Sequence, residues 1–300
     1  MKTTFGLLLT SLLCAAGPAQ EPPITVEQII SRENPDFYVD APLTVGRDGR
    51  VYLASGGNKS YVLGYSGDGG DKRGGPVTYA CANATANADG IVATASGHFA
   101  HKVTLYDRTF KELAHVDDFL VSDQVGWDAP AHVEASSTGD FYAIDQHRDR
   151  IVRISPAGKI VTSYPVPHEP DGGQGLVEDF RVREKGETFY VLSRAGQIRA
   201  IGFDGKKKWT LSAGVGHRSG GFDVDESGTL YAISRDQDLL RKFGPDGKPA
   251  GDLKLALSGR KPGPGEHGFT ELRIHGGAVF LKRRHPIELF ERYDLATGAP

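Results

Sequence analysis

Cysteine is nearly missing from this chain of 300 residues: there are only two, Cys14 and Cys81. Cys14 falls inside an apolar N-terminal run, and without it no internal disulfide can form, so packing rather than staples must hold the fold. An excess of charge of one sign is also lacking. Thirty-five Lys and Arg against 38 Asp and Glu leave a net charge of -3, which gives no basic field for a phosphate backbone and excludes nucleic acid as an expected partner. After Val39 no amphipathic run reaches the roughly 10 residues of a helix. Past the N-terminus, no apolar stretch approaches the ~20 residues of a transmembrane segment. Several signatures of chemistry are absent as well: there is no G-x-S-x-G elbow, no C-x-x-C-H haem motif, no H-E-x-x-H or H-x-x-x-H spacing, and no glycine-rich phosphate loop between a strand and a helix.

What the chain has in quantity is glycine, 39 residues, which suits a chain that turns every dozen positions. Residues 1–19, MKTTFGLLLTSLLCAAGPA, combine Lys2, an apolar run from Phe5 to Ala16 and small residues at Gly17 and Ala19. That is the pattern of a secretory signal peptide cleaved after Ala19, and it places the mature protein in the periplasm or outside the cell. Residues 20–39 form a separate N-terminal segment, and the remainder, 40–300, carries an internal repeat.

The repeat is clearest from Asp128 to Val166, which reads as four short strands: His132 to Ser136, Asp140 to Asp145, Arg150 to Ser155 and Lys159 to Pro165. Each run is rich in β-branched and aromatic residues and is bounded by Gly, Pro or Asp. A glycine before the second strand recurs at Gly49, Gly90, Gly139, Gly186, Gly228 and Gly277, at intervals of 41, 49, 47, 42 and 49. One four-stranded sheet per period in the mid-forties predicts an all-β protein, a six-bladed β-propeller of four-stranded antiparallel blades. Tyr142, Tyr190 and Tyr231 occupy one position of the second strand, so burial of any one implies burial of all three. Blade 6 ends before a fourth strand. Part of Ile24 to Ile30 or Asp36 to Val39 is expected to supply it and join the chain's two ends; the alternative is closure by a further segment, with Ile24 to Ile30 as a short capped helix.

The stretches TGDFYAIDQHRDRIVRISPAGK and ESGTLYAISRDQDLLRKFGPDGK resemble repeats of the NHL family of six-bladed propellers, with Arg150-Ile151 matching that family's usual Arg-Ile on the third strand. The likeness runs from about Ala41 to the end and implies architecture; propellers host unrelated activities. NHL-like peptidyl-hydroxyglycine lyases hold zinc with histidines that follow a proline entering a blade. The matching positions here are Ala41, Ala82, Ala131, Glu178, Gly220 and Phe269, and none is histidine. His132 stands one place later, which on a strand turns a side chain to the opposite face. Gluconolactonase-like propellers set Glu, Asn and Asp around an axial divalent metal, a set to which Asn83, Glu178 and Asp179 could contribute.

Candidate ligand-binding residues come from the loops expected to converge on one face. Connections entering the first strands offer His132, Arg181, His217 and His267, and those between second and third strands offer His98, His101, His147 and His285. Imidazole suits a metal or proton-transfer site, but loop histidines are as readily satisfied by backbone carbonyls or water. The lysine and arginine clusters Lys206-Lys207-Lys208 and Lys282-Arg283-Arg284 read as solvated edge charges. The expectation is therefore a monomeric, exported, non-catalytic scaffold that binds a protein, glycan or small molecule. The alternative is a metal-dependent lactonase or lyase with a divalent metal at the axis.

Overall fold

The computed structural model describes residues 43–55, 61–66, 71–77, 83–97, 100–119, 130, 132–167, 177–193, 196–212, 221–233, 239–255, 269–283 and 290–299. Among them the chain forms six antiparallel sheets, five of four strands and one, blade 6, of three. Two single-turn 3-10 helices, Gln146–Arg148 and Glu184–Gly186, are the only helices among the described residues. None is long and apolar enough to cross a membrane. The reference repeat is the expected meander: Val133–Ala135, Phe141–Asp145, Arg150–Ile154 and Ile160–Pro165 pair in sequence order. The signal sequence, the segment 20–39 and the strand expected to close blade 6 lie outside the described residues.

The first strands of the blades are Leu43–Val45, Asn83–Ala86, Val133–Ala135, Val177–Arg183, Phe222–Val224 and Phe269–His275. Each packs against the first strand of the next blade, and the sixth packs against the first, so they form a closed inner ring around an axis. The fold is thus a six-bladed β-propeller.

The turn between first and second strands needs a left-handed residue, and glycine supplies it at Gly49, Gly90, Gly139, Gly228 and Gly277. Blade 4 departs from the expected ruler. There Gly186 belongs to the 3-10 turn, and the left-handed residue is Glu187, at φ 44°. Counting from Glu187 restores the register, since Tyr190 then stands three residues on, as Tyr142 does from Gly139. Glu187 is exposed, so its side chain bears the cost of an αL backbone without compensation from the core. A Glu187→Gly variant is expected to be more stable by about 0.5–1 kcal/mol, the αL strain relieved less the entropy glycine loses on folding. Unfolding in urea measures it, and equal or lower stability would contradict the assignment.

Three-residue turns join third to fourth strands, with Gly158, Gly205 and Gly247 left-handed and each donating its N–H to the carbonyl three residues back. This is a type I turn with a glycine bulge. At Gly247 the geometry is crowded as well: a Cβ there would lie 2.8 Å from the indole of Trp209, whose Nε1 donates to Pro245 O at 2.8 Å. Trp209 on the outer strand of blade 4 thereby ties that blade to the blade 5 turn.

The core is divided into six apolar clusters, one for each pair of adjacent blades. Tyr52 of blade 1 packs against Ala84, Ala86 and Val92 of blade 2; Ala93 of blade 2 against Phe141 and Val152 of blade 3; Tyr142 of blade 3 against Phe180 and Phe189 of blade 4. Tyr190 of blade 4 meets Phe222 and Leu230 of blade 5, and Tyr231 of blade 5 meets Leu272 and Val279 of blade 6. Phe280 of blade 6 closes the ring on Leu43, Val51 and Leu63 of blade 1. One second-strand position therefore points into every junction, and its three tyrosines are buried together as expected. The hydroxyls escape the apolar layer by reaching carboxylates: Tyr142 donates to Glu184 at 3.1 Å and Tyr231 to Asp225 at 3.2 Å. Burial and Asp225 push the Tyr231 phenol up to about 12.

Candidate functional site on the propeller axis

Side chains alternate along an inner strand, so one set enters the junctions while the other faces the axis. In Val177–Arg183, Phe180 and Val182 join the blade 3/4 cluster, which leaves Asp179, Arg181 and Arg183 on the axial side. The same alternation brings His132 and Glu134 from blade 3, Asp223 from blade 5, and Arg273 and His275 from blade 6.

These charges answer one another across blades. Arg181, fully buried, grips Asp179 with two hydrogen bonds of 2.6 and 2.9 Å, and its Nε lies 3.1 Å from Asp223 Oδ1 and 3.9 Å from Glu134 Oε1. His132 sits between two carboxylates, with Nδ1 3.1 Å from Asp179 and Nε2 3.1 Å from Glu134. Asp223 Oδ2 also accepts the Ile274 N–H at 2.6 Å. A second pair lies beside this group: Glu271 accepts the Leu43 N–H and faces Lys282 at 3.5 Å.

Burial opposes the charge of Arg181, but Asp179, Glu134 and Asp223 outweigh it and push its pKa up. Glu134 is held below the usual carboxylate range, because the Arg181 guanidinium and the His132 hydrogen bond overcome its burial. Burial wins at Asp223 and at Glu271, which are both pushed up despite their cationic neighbours.

Of the residues singled out in the sequence, the structure brings His132 and Arg181 into one network. Both are corrected in placement. Arg181 is not on a loop entering the blade but in the middle of an inner strand, and His132 faces the axis rather than away from it. In blades 2, 3 and 4 the axial position is thus one residue later than the zinc-lyase resemblance implies, at Asn83, His132 and Asp179. His147 is exposed in the turn Gln146–Arg148 and takes no part in the network; His101 is half-buried just before the third strand of blade 2. His98, His217, His267 and His285 lie outside the described residues. On the loop-lined face, Arg150 links Asp145 at 2.9 Å to Asp118 of the preceding blade at 3.0 Å, and this bond holds the Asp118 carboxyl below its ordinary range.

Glu134, Asp223, Arg273, His275 and the pair Glu271–Lys282 were not signalled by any motif. Lys282 in particular is buried and paired, which corrects its reading as a solvated edge charge. Nor does the divalent metal implied by the resemblance fit the side chains as they stand. Asn83 uses its amide on the Val133 backbone, accepting at 2.8 Å and donating at 3.0 Å. A metal at His132 would have to displace a carboxylate from one ring nitrogen. Among the described residues no three His, Cys, Asp or Glu side chains are grouped to hold an ion.

His275 gives the site a pH dependence. Burial and the nearby Arg47 hold its pKa below the usual 6.5. Its folded pKa lies below the unfolded one, so its contribution to stability is present above about pH 6.5 and is lost as pH falls through the folded value. His275→Gln is therefore expected to gain stability relative to wild type between pH 7 and pH 5. Denaturant midpoints that run parallel over that range would contradict this.

No protein-family model matches the chain, and no curated protein does. Solved structures do. Virginiamycin B lyase from Staphylococcus aureus superposes with a TM-score of 0.55 at 16% identity over 86% of this chain and 85% of that one. A catalytically inactive histidine-to-alanine form of the same lyase, with quinupristin, gives 0.57 at 15% identity over 92% and 88%. A protein of unknown function from Bacteroides caccae gives 0.56 at 13% identity over 84% and 92%. At these identities the similarity establishes the fold.

Proposed function

We propose that this chain is an exported, NHL-like binding propeller that presents its loop-lined face to a protein, glycan or small-molecule ligand without turning it over. The observation that supports this reading is the mutual engagement of the axial side chains. General acid–base work needs a group within hydrogen-bond reach of substrate, yet His132 has a carboxylate at each nitrogen and Arg181 is fully buried. Binding requires only loops carried on a rigid scaffold. Export rests on the apolar N-terminal run, and the NHL likeness on the Pro-Ala-Gly-Lys and Asp-Gly-Lys turns.

The other reading, a metal-dependent lactonase or lyase, is favoured by one feature, His132 held between Glu134 and Asp179 on the axis of a fold shared with a streptogramin lyase, where an ion would have to take the place of one of those carboxylates. The mature protein separates the two. Incubated with quinupristin and a panel of lactones, with and without added magnesium or zinc, it is expected to yield no product by liquid chromatography, while binding to glycan and peptide arrays persists in EDTA. Product formation that disappears in His132→Ala would overturn the binding reading.

A further inference from the structure

The inner strands end, in the direction of the chain, on the face opposite the loop-lined one. There the axis opens into a cavity of about 30 Å³ lined by Arg47, Arg183 and Arg273, by His275, and by Glu134 and Asp223, together with Thr85 and apolar neighbours. That exceeds the roughly 10–15 Å³ a single water needs.

The N–H donors of the three lining arginines are not all met by the acceptors within reach. An arginine carries five N–H donors in a planar fork. Arg273 is buried at 4% exposure; its Nη1 donates to Leu272 O at 2.9 Å and stands 3.8 Å from Asp179, and its Nε has no hydrogen-bond partner. Arg183 donates through Nε to Asp225 O and through Nη1 to Val182 O, while its Nη2 lies 3.8 Å from Asp223, beyond hydrogen-bond distance. At the rim Arg47 is fixed by Ala135 O at 3.3 Å and Glu226 at 2.7 Å, and His275 lies against the Gly49 turn. The two lining carboxylates do not absorb these donors. Glu134 faces His132 and Arg181, and Asp223 faces Arg181 and the Ile274 N–H. Buried donors left without acceptors are costly, and planar guanidinium forks match the oxygens of carboxylate and phosphate.

We propose that this cavity is a binding site for a small oxyanion, the carboxylate or phosphate group of a ligand whose remainder lies outside the mouth. It is separate from the loop-lined face, so it stands or falls independently of the function proposed above.

The test is calorimetric titration and thermal melting of the full mature protein with sodium acetate and with sodium phosphate, at constant ionic strength in sodium chloride. A saturable rise in melting temperature is expected with at least one of them, and whichever anion binds identifies the carboxylate or phosphate source. Arg273→Gln should weaken binding at least tenfold. Because a buried change there can impair folding, Arg47→Gln at the rim serves as the second variant, expected to weaken binding several-fold while leaving the ligand-free melting temperature within about 2 °C of wild type. No saturable response to either anion up to 50 mM, or equal responses in wild type and both variants, would show that the cavity holds water alone and overturn the proposal.

Discussion

Replacing Arg181 with methionine is expected to lower the unfolding free energy by about 3–5 kcal/mol at pH 7, the loss typical when one partner of a buried ion pair is removed. The volume of the side chain is largely conserved, so the loss comes from charge. Asp179, Glu134 and Asp223 would be left buried around an apolar thioether, and the guanidinium contact with the Phe222 ring, 5.0 Å from its centroid, would vanish. The effect carries a pH signature. Asp223 is already pushed up by burial, and Arg181 is the first of the cations that restrain it. Without Arg181 the folded carboxyls bind protons more readily than the unfolded ones, so the variant's stability falls as pH rises. Its deficit should narrow as pH is lowered from 7.5 towards 5. Urea titrations at several pH values measure this, and a loss below about 1 kcal/mol, or one that does not change with pH, would show that Arg181 does not hold the axis together.

Tyr142→Ala is expected to cost about 3–5 kcal/mol, the range for truncating a buried aromatic. The ring is fully buried, 5.8 Å edge-on from Phe189 and 6.1 Å from Tyr164, in an aromatic group that continues through Phe203. Truncation opens a cavity that two blades must share. Tyr142→Phe isolates the hydroxyl and should cost only about 1 kcal/mol, the worth of one hydrogen bond, because Glu184 still accepts from Ser136 at 2.8 Å and from the Ser137 N–H at 2.9 Å. If the alanine variant melts like wild type, the second-strand position does not lie between blades, and the shared register fails with it.

The register was legible because turns and apolar strands are written locally. Gly139, Pro156-Ala157-Gly158 and Phe141-Tyr142-Ala143 each impose their conformation within a few residues, and six copies reinforce one another. The one-residue displacement in blade 4 was not legible, because Gly186 stands where a left-handed glycine is expected and Glu187 takes that conformation instead. The axial network was hidden for another reason. Arg181 and Asp179 alternate with Phe180 and Val182, and in a sequence a polar face turned towards an axis looks the same as a polar face turned towards water. Charged residues are rarely fully buried, so the ordinary reading places them outside. What distinguishes the two cases is the partner, and two of the three carboxylate partners of Arg181, Glu134 and Asp223, lie more than 40 positions away.

The two kinds of contact in this molecule differ in how many blades they need. Each apolar cluster joins only neighbours, and pairwise contacts of that kind would serve a ring of five or seven blades almost as well. The ions along the axis do not have that freedom. Arg181 of blade 4 needs acceptors from blades 3 and 5, and Arg273 of blade 6 faces Asp179 across the fifth. Add or remove a blade and these partners separate, leaving buried charges without their counterions. Ion pairing between blades at the centre therefore counts the blades. The junctions supply the affinity of one sheet for the next, while the axis selects the number six.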